Sequence, residues 1–310
     1  MAKIVISEFM DEDAIRDGLA GFDVLYDPDL VDQPERLAAE VAGAEALIVR
    51  NRTQARGALL EAAKNLKCIG RLGVGLDNID VAACKARDIA VFPATGANDV
   101  AVAEYVIGTA MVLLRAAYSA TPAMTGGAWP RNALSGGREI FGKTLGLIGF
   151  GSIARETARR AAALGMAVVA HDPFVDPSDP AWSGVERLEV ESVLARADVV
   201  SLHVPLTDET RGMISADALL RMKPDAILVN AARGGIVDEA AVAAALKEGK
   251  LGGAALDVFD AEPLTADAAA VFKDVPNLIL TPHVAGVTAE SNVRVSGVTA
   301  RSVAAHLRRA

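Results

Sequence analysis

The sequence predicts an α/β protein of two doubly wound parallel-sheet domains, on three observations. At 310 residues, with 52% hydrophobic, the chain exceeds one ordinary domain of ~150 residues, and each half can bury its own core. Short apolar runs alternate with helix-patterned segments almost throughout, which implies parallel sheets with helices on both faces. In mid-chain, the run Leu145 to Ile148 passes straight into Gly149-Phe150-Gly151-Ser152-Ile153-Ala154 and then into a helical pattern ending near Gly165.

The first hundred residues alternate regularly. Lys3 to Ser7 reads as a strand, Asp11 to Leu19 as a helix and Asp23 to Tyr26 as a strand. Pro34 to Val41 is a helix, and Ala46 to Val49 a strand that ends in Arg50-Asn51-Arg52-Thr53. A helix through Leu59 to Lys64 leads to the strand Cys68 to Leu72, and Ile89 to Phe92 closes the series. From Asp99 to Tyr118 runs a long apolar-rich helix, followed by a connecting arm, Thr121 to Gly137, that carries Trp129. The second series begins at Lys143 and takes in Met166 to Ala170. Its later strands are Asp198 to His203, Ala226 to Asn230, Gly253 to Asp257 and Asn277 to Thr281, with helices at Ala216 to Arg221 and Glu239 to Glu248. A last helical pattern, Thr288 to Arg309, would return to the first domain and make the second an insertion. The expected division is 1–98 plus 287–310 for one domain and 99–286 for the other.

The glycine turn has a physical reading. Its first Gly permits the tight turn and its second lets backbone approach a pyrophosphate. A small third residue, Ala154 here, lets helix and strand pack closely. Free N–H groups at the helix start, with the helix dipole, suit an anionic group. Asp172 closes the next strand about twenty residues on, where a carboxylate accepts hydrogen bonds from ribose hydroxyls and repels a 2′-phosphate, so the expected cofactor is NAD rather than NADP.

Composition excludes other classes. The net charge of −9 argues against a nucleic-acid surface or an anionic membrane, and it requires any site for an anionic substrate to concentrate positive charge locally. Two cysteines, Cys68 and Cys84, offer neither a disulfide framework nor a zinc pattern, and no metal is expected. A strand at the very start leaves no room for a signal peptide, and the longest apolar stretch, Val106 to Leu114, is too short to span a bilayer. The expectation is a cytoplasmic protein with reduced core thiols.

Three strand ends in the second series carry polar groups that a plain core would not need: Arg233 after Asn230-Ala231-Ala232, Glu262 in the stretch from Asp257 to Pro263, and His283 in Thr281-Pro282-His283. Singly, each is an ordinary loop residue. Together, at successive carboxyl ends of one sheet beside a nucleotide site, they form a constellation suited to hydride transfer.

With these residues in hand, the chain resembles the D-isomer-specific 2-hydroxyacid dehydrogenase family over nearly its full length. The matching segments are Gly70 to Asp80, the glycine turn, Leu202 to Thr207, Val229 to Gly234, Asp257 to Pro263 and Thr281 to His283. The resemblance implies a flavodoxin-like substrate-binding domain with an inserted Rossmann NAD-binding domain. It also implies a catalytic set in which His283 gives and takes the proton, Glu262 orients and charges the imidazole, and Arg233 holds the substrate carboxylate. Cofactor contacts are implied at Val74, Gly149, Gly151, Ser152, Ile153, Asp172, His203, Pro205, Ala231, Ala232, Asp257, His283 and Gly286. Gly73, Val74 and Gly75 would complete the carboxylate pocket, and the expected assembly is a homodimer with the Trp129 arm as a contact.

The family reduces many 2-keto acids, so the choice among them rests on the first domain. Arg50 and Arg52 at a strand end read either as solvated side chains or as a socket for a second anionic group. In a chain of net charge −9 the socket is favoured. The phrases Glu8 to Glu12, Leu25 to Pro28 and Ile48 to Gln54 resemble the branch that interconverts sulfolactate and 3-sulfopyruvate. The alternatives are oxidation of 3-phosphoglycerate, reduction of hydroxypyruvate or glyoxylate, and, from another class, an NAD-sensing corepressor-like binding protein.

Overall fold

The computed structural model describes residues 1–309. The chain divides into two compact units, Met1–Asn98 together with the segment from Val287 onward, and Asp99–Gly286.

The first unit holds a five-stranded sheet of β1 (Lys3–Ile6), β2 (Asp23–Tyr26), β3 (Ala46–Val49), β4 (Cys68–Arg71) and β5 (Ala90–Pro93). Every pairing is parallel and the strand order is β2-β1-β3-β4-β5. Both faces are covered, so the strands are apolar throughout rather than alternating. Ile4, Ile6, Ala46 and Ile48 point into one buried cluster, and Val5, Leu47 and Val49 into the opposite one. Each such Ile, Val or Leu side chain, buried fully, contributes roughly 1.5–3 kcal/mol. The helix Ala289–Leu307 supplies Val295, Ala300, Val303 and Ala304 to the first cluster. A reciprocal cap starts this helix: Thr288 Oγ1 accepts from the Ser291 N–H at 3.0 Å, and Ser291 Oγ accepts from the Thr288 N–H at 2.8 Å.

The second unit holds a seven-stranded sheet of β6 (Thr144–Ile148), β7 (Ala167–His171), β8 (Glu186–Arg187), β9 (Val199–Leu202), β10 (Ile227–Asn230), β11 (Gly253–Leu256) and β12 (Leu278–Leu280). Its order is β12-β11-β10-β9-β6-β7-β8, again with only parallel pairs. The helix Asp99–Arg115 and the helix Ser152–Ala163 cover one face, with Val106, Leu113, Ala154 and Ala158 in a common cluster. The opposite face is closed by Val193, Leu194, Leu219 and Val242.

Several short elements have no counterpart in the sequence reading, among them the two-residue strand β8 and the helices Thr121–Thr125, Val190–Arg196 and Ala266–Ala269. Both β8 residues are exposed, so nothing apolar marks them, and their strand state comes only from pairing with Val169 and Ala170 of β7. Among the described residues no single helix is long and apolar enough to cross a membrane.

Candidate active site

In doubly wound sheets, ligands lie beyond the carboxyl ends of the strands, at the point where strand order reverses. Each unit has such a point. In the second unit it falls between β6 and β9, whose ends carry Gly149 and His203. Gly149 has φ +90°, and a Cβ there would stand 2.4 Å from the His203 carbonyl oxygen, so only glycine fits. The Gly149 N–H donates to His171 O at 2.8 Å, and the Phe150 N–H donates to Asp172 Oδ2 at 2.7 Å. Asp172 Oδ1 accepts from the N–H groups of Phe174 (2.8 Å) and Val175 (3.2 Å), so the acid is locked beside the turn.

Gly151 caps the helix Ser152–Ala163 with no side-chain hydrogen bond, leaving the first N–H groups, those of Ser152 and Ile153, for an anion. His203 Nε2 lies 2.9 Å from Ser201 Oγ, and burial pushes its imidazole down to about 4, so the ring is neutral at physiological pH. Pro205 is exposed, and its carbonyl accepts from Thr210 Oγ1 at 2.6 Å. This turn, its locked acid and its uncapped helix fit a dinucleotide.

The loop after β10 is shaped by its own Asn230, whose Oδ1 accepts from the Ala232 N–H at 3.1 Å and whose Nδ2 donates to Arg233 O at 2.9 Å. This fixes Ala231 and Ala232 as a small-residue wall and sets Arg233, whose Nη1 donates to Ala232 O at 2.6 Å. Gly234 follows where the loop after β11 passes so close that a Cβ would meet Phe259 O at 1.8 Å. That approach brings the Arg233 charge into range of Glu262. Burial raises the Glu262 pKa, but the His283 hydrogen bond and charge, the Phe259 N–H and the Arg233 charge outweigh it and hold the carboxyl below its ordinary value. Glu262 Oε1 accepts from the Phe259 N–H at 3.0 Å, and Oε2 lies 2.7 Å from His283 Nδ1. With Nδ1 turned to the carboxylate, Nε2 is the ring nitrogen left for a reacting group. The two side chains are 39% and 34% exposed, open enough to meet a substrate.

Asp257 holds the turn that presents His283. Its carbonyl accepts from the His283 N–H at 2.8 Å, its Oδ1 from the Val284 N–H at 2.8 Å and its Oδ2 from the Ala285 N–H at 2.8 Å. Three successive N–H groups converge on one residue that is 1% exposed. His283 itself has φ +55°, a left-handed conformation that costs a non-glycine residue about 1–3 kcal/mol and persists only when its surroundings impose it. Gly286 ends the turn.

In the first unit the order reverses between β1 and β3, whose ends carry Glu8 and Arg50. Glu8 is 4% exposed and plays the part of Asp257: Oε1 accepts from the N–H groups of Arg50 (2.8 Å) and Thr53 (2.9 Å), and Oε2 from that of Arg52 (3.0 Å). Asn78, in the loop after β4 that also holds Gly73, Val74 and Gly75, ties in by donating to Thr53 O at 2.7 Å and Arg50 O at 3.1 Å. The two arginines have different partners. Arg50 is half-buried, donates through Nη2 to Asn292 Oδ1 at 2.8 Å and lies over the Phe9 ring at 5.9 Å. Burial pulls its guanidinium below the ordinary arginine value against the opposing pull of the Glu8 charge. Arg52 is exposed and forked onto Asp32, through Nη1 to Oδ2 at 3.1 Å and through Nη2 to Oδ1.

Sequence reasoning assigned no task to Glu8, Asn78, Asn230 or Asn292. Glu8 carried one usable signal, a carboxylate directly after an apolar parallel strand.

The NAD-binding domain model of the D-isomer specific 2-hydroxyacid dehydrogenases matches residues 107–285. The chain is 56% identical over 304 residues to an (S)-sulfolactate dehydrogenase of Chromohalobacter salexigens, covering 98% of this chain and 97% of that one. It is 43% identical over 275 residues to a D-3-phosphoglycerate dehydrogenase of Mycobacterium tuberculosis, covering 88% of this chain but 51% of the other. Among solved structures, a D-lactate dehydrogenase of Aquifex aeolicus complexed with NAD and lactic acid superposes with a TM-score of 0.86 at 28% identity, over 99% of this chain and 96% of that one. The chain belongs to the D-isomer specific 2-hydroxyacid dehydrogenase family and is an oxidoreductase that uses NAD.

Proposed function

We propose that the protein interconverts (S)-3-sulfolactate and 3-sulfopyruvate. The observation that carries this reading is the near-complete alignment at 56% identity with the C. salexigens enzyme, which takes in both units. The half-buried Arg50 supports it, because a desolvated guanidinium gains most from an anionic partner.

In the direction of reduction, NADH when bound supplies the hydride to the keto carbon. Arg233 holds the substrate carboxylate and draws charge toward the carbonyl oxygen. Backbone N–H groups of Gly73, Val74 and Gly75 share that carboxylate. His283 Nε2 delivers the proton that turns the carbonyl oxygen into hydroxyl, and in oxidation it takes that proton back. Glu262, ionised and bonded to Nδ1, fixes the ring with Nε2 turned to the substrate. Arg50 binds the sulfonate. Arg52 joins it only by releasing Asp32, a surface pair whose loss costs about 0–1 kcal/mol.

For the cofactor, Gly149, Gly151, Ser152 and Ile153 receive the pyrophosphate and Asp172 the ribose. His203, Pro205, Ala231 and Ala232 would line its length, with Asp257, His283 and Gly286 toward the nicotinamide. The arm after Arg115, with Tyr118, Met124, Trp129 and Phe141 all exposed, is the face on which two copies would pair. Buried Cys68 and Cys84, the former pushed up to about 12 by burial, suit a reducing cytoplasm.

The second reading, 3-phosphoglycerate, has the phosphoglycerate dehydrogenases in its favour, though this chain spans about half their length. Formation of NADH with (S)-3-sulfolactate and with 3-phosphoglycerate, measured side by side, decides. Preference for sulfolactate by about tenfold or more in kcat/KM is expected, a difference of about 1.4 kcal/mol. Preference for phosphoglycerate would overturn the sulfonate assignment.

A further inference from the structure

The Asp257 carboxylate receives one donor that backbone geometry does not explain. Thr281 Oγ1 donates to Asp257 Oδ1 at 2.6 Å, and Tyr105 Oη stands 2.7 Å from the same Thr281 oxygen. A hydroxyl has a single hydrogen. Since Thr281 commits its own to the carboxylate, Tyr105 must be the donor to Thr281. The chain of protons therefore has one direction, from the Tyr105 hydroxyl to the Thr281 hydroxyl to the buried carboxylate, and each bond polarises the next.

Tyr105 comes from the middle of the helix Asp99–Arg115, remote in sequence from every motif of the site, and it touches neither reacting group. Its phenol is pushed up to about 12, chiefly by burial and further by the Asp257 charge against the Thr281 hydrogen bond, so it stays a donor throughout the working pH range. At the far end, Asp257 carries the Val284 and Ala285 N–H groups, and its carbonyl takes that of His283. The left-handed His283 backbone depends on that attachment.

We infer that Tyr105 is a positioning residue for the hydride-transfer reaction, acting through the Thr281 hydroxyl on Asp257 and so on the turn that aims His283. Without the tyrosine donor, the Thr281–Asp257 bond loses the polarisation that Tyr105 supplies, which weakens one of the bonds holding the turn that presents the imidazole to Glu262. The inference rests on His283 being the proton donor, as proposed above.

The test is a coupled set of variants in the full chain: Tyr105→Phe, Thr281→Val, the pair together, Thr281→Ser and, separately, His283→Ala. Tyr105→Phe should lower kcat about tenfold while the NADH Kd and the substrate KM stay within about twofold, a split typical of a group felt only in the transition state. Because Tyr105 acts through Thr281, adding Tyr105→Phe to Thr281→Val should lower kcat no further. Thr281→Ser, which keeps the hydroxyl, should retain several-fold more kcat than Thr281→Val, and this comparison stands even if the tyrosine variant folds poorly. Unchanged kcat in folded Tyr105→Phe, multiplied losses in the pair, or a parallel loss of NADH binding would each overturn the inference. If His283→Ala also kept full turnover, the proton-donor reading would fall as well. If only His283→Ala were inactive, the relay alone would fall.

Discussion

Each unit holds its functional loop with a buried carboxylate, but the two loops differ in what they leave available. In the Asp99–Gly286 unit, Asp257 gathers the N–H groups of His283, Val284 and Ala285. The side chain so presented already has its partner, Glu262. In the other unit, Glu8 gathers the N–H groups of Arg50, Arg52 and Thr53. Arg50 is held by a neutral amide, Asn292, and the Phe9 ring, and Arg52 by a surface acid, Asp32. On the proposed reading, the first loop is pre-organised around a proton transfer that every 2-keto acid needs. The second presents cations whose present partners can be exchanged, which suits a part that distinguishes one acid from another. On this view the chemistry belongs to one unit and the choice of substrate to the other.

The largest effect should come from the preset side of that comparison. His283→Ala should lower kcat by about 10²–10⁴-fold, the usual contribution of a positioned acid–base group, with NADH binding within about twofold by fluorescence titration. Loss of NADH binding in step with turnover would make His283 structural and blur the distinction between the loops.

Glu262→Gln should lower kcat about 10–10²-fold, since an amide keeps a hydrogen bond but lacks the carboxylate's charge beside the ring. It also carries a pH signature. The Glu262 pKa is held below its ordinary value in the folded protein. Its ionised form therefore adds stability that is fully present above the unfolded carboxyl value of about 4.3 and is lost as pH falls through the folded value. Melting temperatures of wild type and Glu262→Gln should converge as pH falls from about 4 through the folded Glu262 value. Divergence below about pH 4 would mean that the Glu262 shift has been read with the wrong sign.

Glu8→Gln tests the other brace. A Gln side chain has one acceptor oxygen for three N–H groups, so at least one is left unsatisfied, at a cost of about 1–3 kcal/mol in unfolding free energy by urea titration. KM for the two-anion acid should rise while kcat on glyoxylate holds, and a fall in both alike would remove the division of labour. Arg52→Ala should have the smallest effect, within about threefold in KM and about 1 kcal/mol in stability, because it ends an exposed pair. A tenfold loss would make Arg52 an equal partner of Arg50.

Most of the architecture was legible because the strands of a doubly covered parallel sheet are continuous apolar runs, and β3, Ala46–Val49, is read at its observed limits for that reason. β8 was not legible: two exposed residues owe their strand state to β7 and not to their own side chains. The polar residues at the strand ends could be found from the motifs that contain them, and the structure brings Glu262 to His283 and the Arg233 charge to Glu262. What sequence could not supply was the support around them. Glu8 meets the N–H groups of residues more than forty positions away, and Tyr105 meets Thr281 from a helix read only as apolar. Such contacts are made by tertiary packing and leave no local period. Nor does sequence separate Arg50 from Arg52, two residues apart, one half-buried on Asn292 and one forked onto Asp32 in solvent.

The measurement that bears most directly on the division between the two units is the ratio of kcat/KM for 3-sulfopyruvate to that for glyoxylate, in wild type and in Arg50→Ala. A charge-assisted contact of about 1.5–3 kcal/mol corresponds to roughly a 10–10²-fold change. The account predicts that the ratio collapses by that amount in Arg50→Ala while glyoxylate reduction is unchanged. An equal loss on both acids, or none on either, would contradict it.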